Sequence, residues 1–338
     1  MDSFTQIVLG ASVGEAILGK KIGRRATLWG AISGTIPDLD VFALKFFPYV
    51  EALSLHRGFT HSILFALLSA IFLALILNAF YKKNLKTNFM DWFLLFFWGL
   101  FTHALLDCHT TWGTQLFWPL DHRLALSSIF VIDPLYTLPF AALLVTALFY
   151  KKNNIKRRRL NYIGLGISSL YLLCTFLTKQ IVTEKFEIHL KENQIAYTDI
   201  NVRPTPLNSF LWSANIQTEK AYLIGNYSIF DTEFKPNFIN YPKKHFLLNK
   251  HTGNEELQKL LSIMKGDFIV QHKGTNLLIS DLRFGQLYFG KGNGPFVFNS
   301  LLEIENNKIK AIREANSVRD KQEITKSLDE LWKRIKGN

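Results

Sequence analysis

Four stretches of the chain run apolar with almost no charge to interrupt them. Residues 62–80, 134–150 and 160–178 carry no charged side chain, and residues 92–106 are apolar except for His103. A helix that crosses the hydrocarbon of a bilayer needs about 20 such residues. The first and last stretches reach that length outright. The second reaches it if His103 and Asp107 lie at its end, and the third if it extends back through Ile129 and takes in Asp133. Soluble helices keep a polar face and these have none, so the pattern predicts four membrane spans. Upstream, residues 7–19 and 26–36 are apolar but short. Gly10 pairs with Gly14 and Gly30 with Gly34, a spacing that lets helices approach closely in a membrane. They read as two short packed helices, spanning or re-entrant. No basic stretch precedes the first apolar run, so a cleavable signal peptide is not expected.

The pattern changes near residue 180. Residues 186–190 and 212–218 alternate as half-buried strands do, and 221–230, 267–271, 277–280, 296–304 and 309–312 read as further strands. Glu219-Lys220, Lys273-Gly274 and Asn306-Asn307 supply hairpin turns. Residues 254–264 and 321–335 have helical spacing. The expected fold is an all-α polytopic membrane domain over residues 1–180, followed by a soluble, mainly antiparallel α+β domain over residues 181–338. Gly285, Gly290, Gly292 and Gly294 fall in an expected loop, without the strand-then-helix setting of a nucleotide site.

Composition changes this picture only at the margins. Of 338 residues, 14% are aromatic, which excludes a disordered chain. Two cysteines, Cys108 and Cys174, are too few for a disulfide scaffold or a cysteine zinc ribbon. Cys108 points about 100° away from its helical neighbour Asp107 and reads as packing. Cys174 reads as inert. The net charge of +12 would raise nucleic acid as a partner, but the basic residues sit in alternate connections. Lys20, Lys21, Arg24 and Arg25 separate the two short helices. Lys82, Lys83 and Lys86 follow the first long span, and Lys151, Lys152, Lys156, Arg157, Arg158 and Arg159 precede the last. Such residues remain in the cytoplasm. The charge is therefore topogenic, the expected partner is the lipid bilayer and not nucleic acid, and the protein is expected in the cytoplasmic (inner) membrane. Residues 37–61, 107–128 and the whole C-terminal domain then lie outside the cytoplasm.

Ionisable residues collect at that outer side. Asp38 and Asp40 end the second short helix, His56 and His61 precede the first long span, and His103 and Asp107 close the next. Ionisable groups beside apolar spans are costly unless they pair or coordinate. Positions i and i+4 share a helix face, so His103 and Asp107 can bind one ion together. His56 and His61 converge only if His56 lies in the loop before the helix, which Gly58 permits. Asp38 and Asp40 point the same way if their segment is extended. Imidazole with carboxylate is a ligand set for zinc, and also suits iron or manganese. The expected cofactor is a divalent metal, Zn²⁺ first, held by a subset of Asp38, Asp40, His56, His61, His103 and Asp107. Asp38 or Asp40 would act as general base and Arg57 would stabilise an anionic substrate group. A site at the bilayer surface implies a lipid-like substrate.

These motifs also carry a resemblance. Met1-Asp2-x-x-Thr5, Pro37-Asp38-Leu39-Asp40, His56-Arg57-Gly58-x-Thr60-His61-Ser62, His103-x-x-x-Asp107, Trp112-Gly113-Thr114 and Asp133-Pro134 resemble the YdjM-like family over roughly residues 1–150. The resemblance implies an integral membrane protein and a metal-dependent hydrolase. Gln6 departs from it, standing where many members carry histidine. The competing expectations are a metal or ion transporter, and a membrane anchor for the C-terminal domain. Transport needs polar groups through the membrane, and residues 62–80 and 160–178 offer almost none.

Overall fold

The computed structural model describes residues 1–81, 85–286, 289, 294–315 and 321–337. Lys82, Lys83, Gly290 and Gly292 lie outside them. The chain divides into two compact units. One comprises Met1–Lys45, Leu55–Leu177 and Pro206–Asn208, the other Phe46–Ser54, Thr178–Thr205 and Ser209–Asn338.

The first unit is helical. α1 (Ser3–Ile22) and α2 (Arg24–Thr35) pack back to back. A Cβ on Gly10 would strike the Gly30 carbonyl, one on Gly14 the Ala26 carbonyl, and one on Gly34 the Gln6 carbonyl. The glycine pairs are therefore where the two backbones meet, and α1 is longer than the apolar core of its sequence suggests. A 3₁₀ turn (Pro37–Leu39), α3 (Asp40–Leu44) and α4 (Tyr49–Leu55) lead to a second 3₁₀ turn (Phe59–His61). α5 (Ile63–Tyr81) and α6 (Phe89–Cys108) then form a hairpin. α5 buries only Ala66, Ala70, Ala74 and Leu77, mostly a ridge of alanines four apart that packs with Trp92, Leu95 and Phe96 of α6. Leu67, Leu68, Phe72 and Leu75 on its other faces are exposed, as a lipid-facing surface requires.

Among the described residues, three helices are long and apolar enough to cross a membrane: α5, α6 and α8 (Ile155–Glu192). The third expected span is shorter. α7 runs Pro134–Leu148, 15 residues, or about 22 Å at 1.5 Å per residue. It does not extend back to Ile129, because Asp133 accepts from Leu135 N and Tyr136 N as its N-cap and Pro134 occupies the first turn. Asp133 also accepts from the Tyr171 hydroxyl at 2.9 Å, so it caps α7 and ties it to α8.

α8 brings a second correction. Residues 186–190, expected as a strand, continue the helix to Glu192. Val182, Phe186 and Leu190 recur every four residues, all buried, and pack on Val202, Trp212 and Ala214. That ridge outweighs five residues of alternation, which are too few to separate the two periods.

The second unit carries two antiparallel four-stranded meanders. β1 (Asp199–Pro204), β2 (Leu211–Gln217), β3 (Ala221–Ser228) and β4 (Ile239–Pro242) form one. β5 (Phe268–Lys273), β6 (Asn276–Gln286), β7 (Phe296–Glu305) and β8 (Lys308–Glu314) form the other. Asn306 and Asn307 both take positive φ, 49° and 63°, as a two-residue hairpin turn demands. Gly285 lies within β6 and not in a loop. α9 (Glu255–Ile263) packs on the second sheet through Leu257 and Leu260, and Val50 of the 46–54 segment joins the same core. α10 (Lys321–Ile335) ends the unit. The architecture is a helical region with apolar spans followed by an antiparallel α+β region.

Candidate metal centre

The His-Arg-Gly-x-Thr-His run forms a tight reversal before α5. Arg57 sits at φ 55°, and a Cβ on Gly58 would lie 2.9 Å from the Leu55 carbonyl and 3.0 Å from Gln115 Oε1. Glycine is required there for space. The reversal points the Arg57 amide at Asp40 Oδ2 (3.1 Å) and turns His61 inward. α6, antiparallel to α5, brings His103 and Asp107 to the same end.

Four donor groups converge: Asp38, His61, His103 and Asp107, with one ligand atom of each within 4.8 Å of all the others. His61 and His103, 42 positions apart, face each other Nε2 to Nε2 at 3.2 Å. Asp38 Oδ1 lies 3.3 Å from His61 Nε2 and 3.6 Å from His103 Nε2. Asp107 Oδ2 lies 3.4 and 3.7 Å from the same two atoms. His61, His103 and Asp107 side chains are fully buried, whereas that of Asp38 is 22% exposed, so the cluster is reached from the Asp38 side.

The surrounding bonds assign the imidazole protons. His103 Nδ1 meets the Gly34 carbonyl at 2.7 Å, an acceptor only, so the proton is on Nδ1 and Nε2 is bare. Thr60 Oγ1 donates to Asp40 Oδ2 (3.2 Å) and therefore accepts from His61 Nδ1 (3.0 Å). His61 Nε2 is bare as well. Two lone pairs and two carboxylate oxygens thus meet with no proton between them. Asp107 Oδ1 is anchored by Gln6 Nε2 (3.0 Å) and the Met1 ammonium, whereas Asp107 Oδ2 is buried without a hydrogen bond. A cation would satisfy all of these groups at once. An outer acceptor on each imidazole, the Gly34 carbonyl for His103 and Thr60 Oγ1, itself bonded to Asp40, for His61, is what metal-ligating histidines have. The cluster can hold a metal ion.

Electrostatics agree. Burial lowers the pKa of His61, but the neighbouring Asp107 and Asp38 carboxylates outweigh this and raise it. Burial raises the pKa of Asp38, but His103 and His61 outweigh it and hold the carboxyl well below its ordinary value. The pocket favours positive charge.

Two of the six candidates stand beside the cluster. Asp38 and Asp40 diverge because their segment is a 3₁₀ turn running into a helix and not an extended strand. Residues two apart then point to different sides. Asp40 accepts from Arg57 N and Thr60 Oγ1 and lies 3.4 Å from His56 Nδ1. Hence His56 pairs with Asp40. Arg57 is buried, its Nε 3.2 Å from Asp107 Oδ2 and its Nη1 donating to Thr110 Oγ1 at 3.1 Å. Two contributors were not singled out from sequence, Thr60 as a hydrogen-bond partner and the Gly34 carbonyl, while Gln6, noted as a departure from the family pattern, anchors Asp107. Gly34 carries a legible signal only for helix packing, since any residue has a carbonyl.

Relatives place the helical part. The chain is 26% identical over 237 residues to the uncharacterized protein YfhP of Bacillus subtilis (strain 168), covering 67% of this chain and 68% of that protein. It is 31% identical over 114 residues to the inner membrane protein YbcI of Escherichia coli (strain K12), covering 34% of this chain and 64% of that protein. No solved structure matches. The family model of the YdjM inner membrane protein matches residues 1–182, a span that holds all four converging donors. With more than half its length in that match and apolar helices to fit it, the chain belongs to the YdjM inner membrane protein family.

Proposed function

We propose that the protein is a zinc-dependent hydrolase of the inner membrane, acting at the extracytoplasmic face on an amphiphilic or phosphate-bearing substrate. The observation that carries this reading is the spacing of the donor atoms. Five of the separations among the two imidazole nitrogens and two carboxylate oxygens run from 3.2 to 3.7 Å. Ligands about 2.1 Å from a tetrahedral zinc lie about 3.4 Å apart. A zinc held by His61, His103 and Asp107, with Asp38 or a water in the remaining position, would supply Lewis acidity and lower the pKa of that water.

The chain's own residues supply the rest. Asp38, on the open side, admits substrate to the cluster. Asp40 orients His56, whose side chain is partly exposed, and this pair carries the proton between substrate and solvent. Arg57 fixes Asp107 and adds positive charge that favours an anionic group on the substrate. The alternation of basic connections supports a cytoplasmic location for them, with the cluster and the C-terminal unit on the opposite side.

The test is metal analysis of detergent-purified protein together with a hydrolase screen on phospholipid, isoprenoid phosphate and lipid-linked glycan analogues. Chelator-sensitive turnover that disappears in His61→Ala is expected. Turnover untouched by chelator, or retained in that variant, contradicts the reading. Topology has its own check. A reporter fused after residue 338 should behave as exported and one at residue 153 as cytoplasmic, and both on one side would reject the orientation.

A further inference from the structure

The start of α5 is tied to a distant loop. Ile63 N, the first residue of that helix, donates to the Leu116 carbonyl at 3.0 Å, so the Leu116 backbone lies level with the first turn of the span. The residues that follow, Phe117-Trp118-Pro119-Leu120, are apolar and turned outward, with Phe117 53% and Leu120 66% exposed. Phe59 is exposed too. Its ring meets Trp118 edge-on at 4.9 Å and Phe65 of α5 at 5.3 Å.

The patch continues an apolar surface already facing lipid, since Leu64, Leu67, Leu68 and Phe72 of α5 are exposed beside it. It ends sharply in polar residues. Asp121 accepts from Gln115 Nε2 (3.1 Å), and Arg123 Nη1 donates to the His56 carbonyl (3.0 Å). A tryptophan between an apolar face and charged groups marks the membrane–water boundary. The patch also adjoins the metal cluster. Only Thr60 separates Phe59 from His61, and the Gln115 amide donates to the Arg57 carbonyl (3.1 Å).

We propose that Phe59, Phe117, Trp118 and Leu120 form a ledge that seats the hydrocarbon chain of a membrane lipid beside the Asp38–His61–His103–Asp107 cluster, with the lipid's polar linkage at the cluster. The ledge itself stands on its continuity with α5, and the placement of the linkage rests on the hydrolase reading. The chemistry selects a long-chain amphiphile with an anionic or ester linkage near the interface. The ledge holds the chain, and Asp38 on the open side of the cluster meets the head.

The experiment uses full-length protein in detergent micelles and phosphatidylcholine with a diazirine in one acyl chain. After photolysis, labelled peptides are mapped by mass spectrometry. Label is expected on residues 57–65 and 116–123, saturable and displaced by unlabelled phosphatidylcholine. The paired change Phe117→Ser with Leu120→Ser should raise the half-saturating concentration at least about tenfold, since two apolar side chains leave the contact. Label spread evenly and without saturation over the apolar spans, or no label at these peptides, would overturn the ledge. So would an unchanged half-saturating concentration in the paired variant. Metal content of the same samples reports on the cluster separately. A seated lipid beside a metal-free cluster keeps the ledge and removes the hydrolase, and the reverse result removes the ledge alone.

Discussion

Two groups of ionisable residues are buried among the helices of the first unit, and they are built in opposite ways. In one, Arg157 Nε and Nη2 donate to the two oxygens of Glu15, each at 2.6 Å, and Thr27 Oγ1 adds a third bond at 3.0 Å. Every charge there is answered, and the group clasps α8 to α1. Arg157 belongs to a basic connection that looked purely topogenic, so one of those cations is internal. In the other, His61, His103, Asp38 and Asp107 turn acceptors toward one another with no donor among the four, and Arg57 Nε stands at the edge, 3.2 Å from Asp107 Oδ2. Burial is shared, so burial is not what marks a site. The mark is a set of lone pairs left unanswered, because a buried polar group without a partner costs free energy that a ligand can recover.

Substitutions separate the two groups. The largest effect is expected at the cluster. His61→Ala or His103→Ala should take metal content from near stoichiometric to near zero while membrane insertion persists, because each removes one of about four ligands. Metal analysis of purified protein is the check, with His272→Ala in the second unit as an unaffected control. Next comes the clasp. Glu15→Ala should leave metal content intact but destabilise the protein by about 3–5 kcal/mol, since it strands a buried guanidinium. Thermal unfolding in detergent measures this, and the double change Glu15→Leu with Arg157→Met should recover much of the loss. A smaller effect is expected at Asp40, which touches His61 only through Thr60. Asp40→Asn should weaken metal affinity by about 10–100-fold, read by chelator competition. Equal metal loss in Glu15→Ala and His61→Ala would erase the contrast.

The positions of these groups were legible in the sequence to different depths. α5 and α10 could be bounded closely because an uncharged run and an amphipathic repeat each leave one reading. His103 and Asp107 could be placed on one face because four residues make about one turn. The division of labour between Asp38 and Asp40 could not, because it depends on a 3₁₀ turn that an Asp-Leu-Asp alternation disguises. The Glu15–Arg157 pair spans 142 positions, and nothing local in either residue announces the other. The Gly34 carbonyl was invisible for a different reason. It acts through the backbone, and its placement follows from a glycine contact between α1 and α2 that sequence shows only as small residues. A separate C-terminal fragment is affected in the same way. Val50 packs with Leu248, Leu257 and Val270, so a fragment from residue 179 onward lacks part of its own core and is expected to be less stable than one supplied with residues 46–54, as urea unfolding of the two would show.

The central claim is that Asp38, His61, His103 and Asp107 bind one divalent metal ion. X-ray absorption at the zinc edge of the zinc-loaded, detergent-purified protein tests it most directly. The account predicts about one zinc per chain, with four nitrogen or oxygen neighbours at about 2.0–2.1 Å, no sulfur, and the outer scattering of two imidazoles. That signal should be absent in the His61→Ala and His103→Ala variants. Sulfur in the first shell, scattering from fewer than two imidazoles, or the same spectrum in both alanine variants would contradict it.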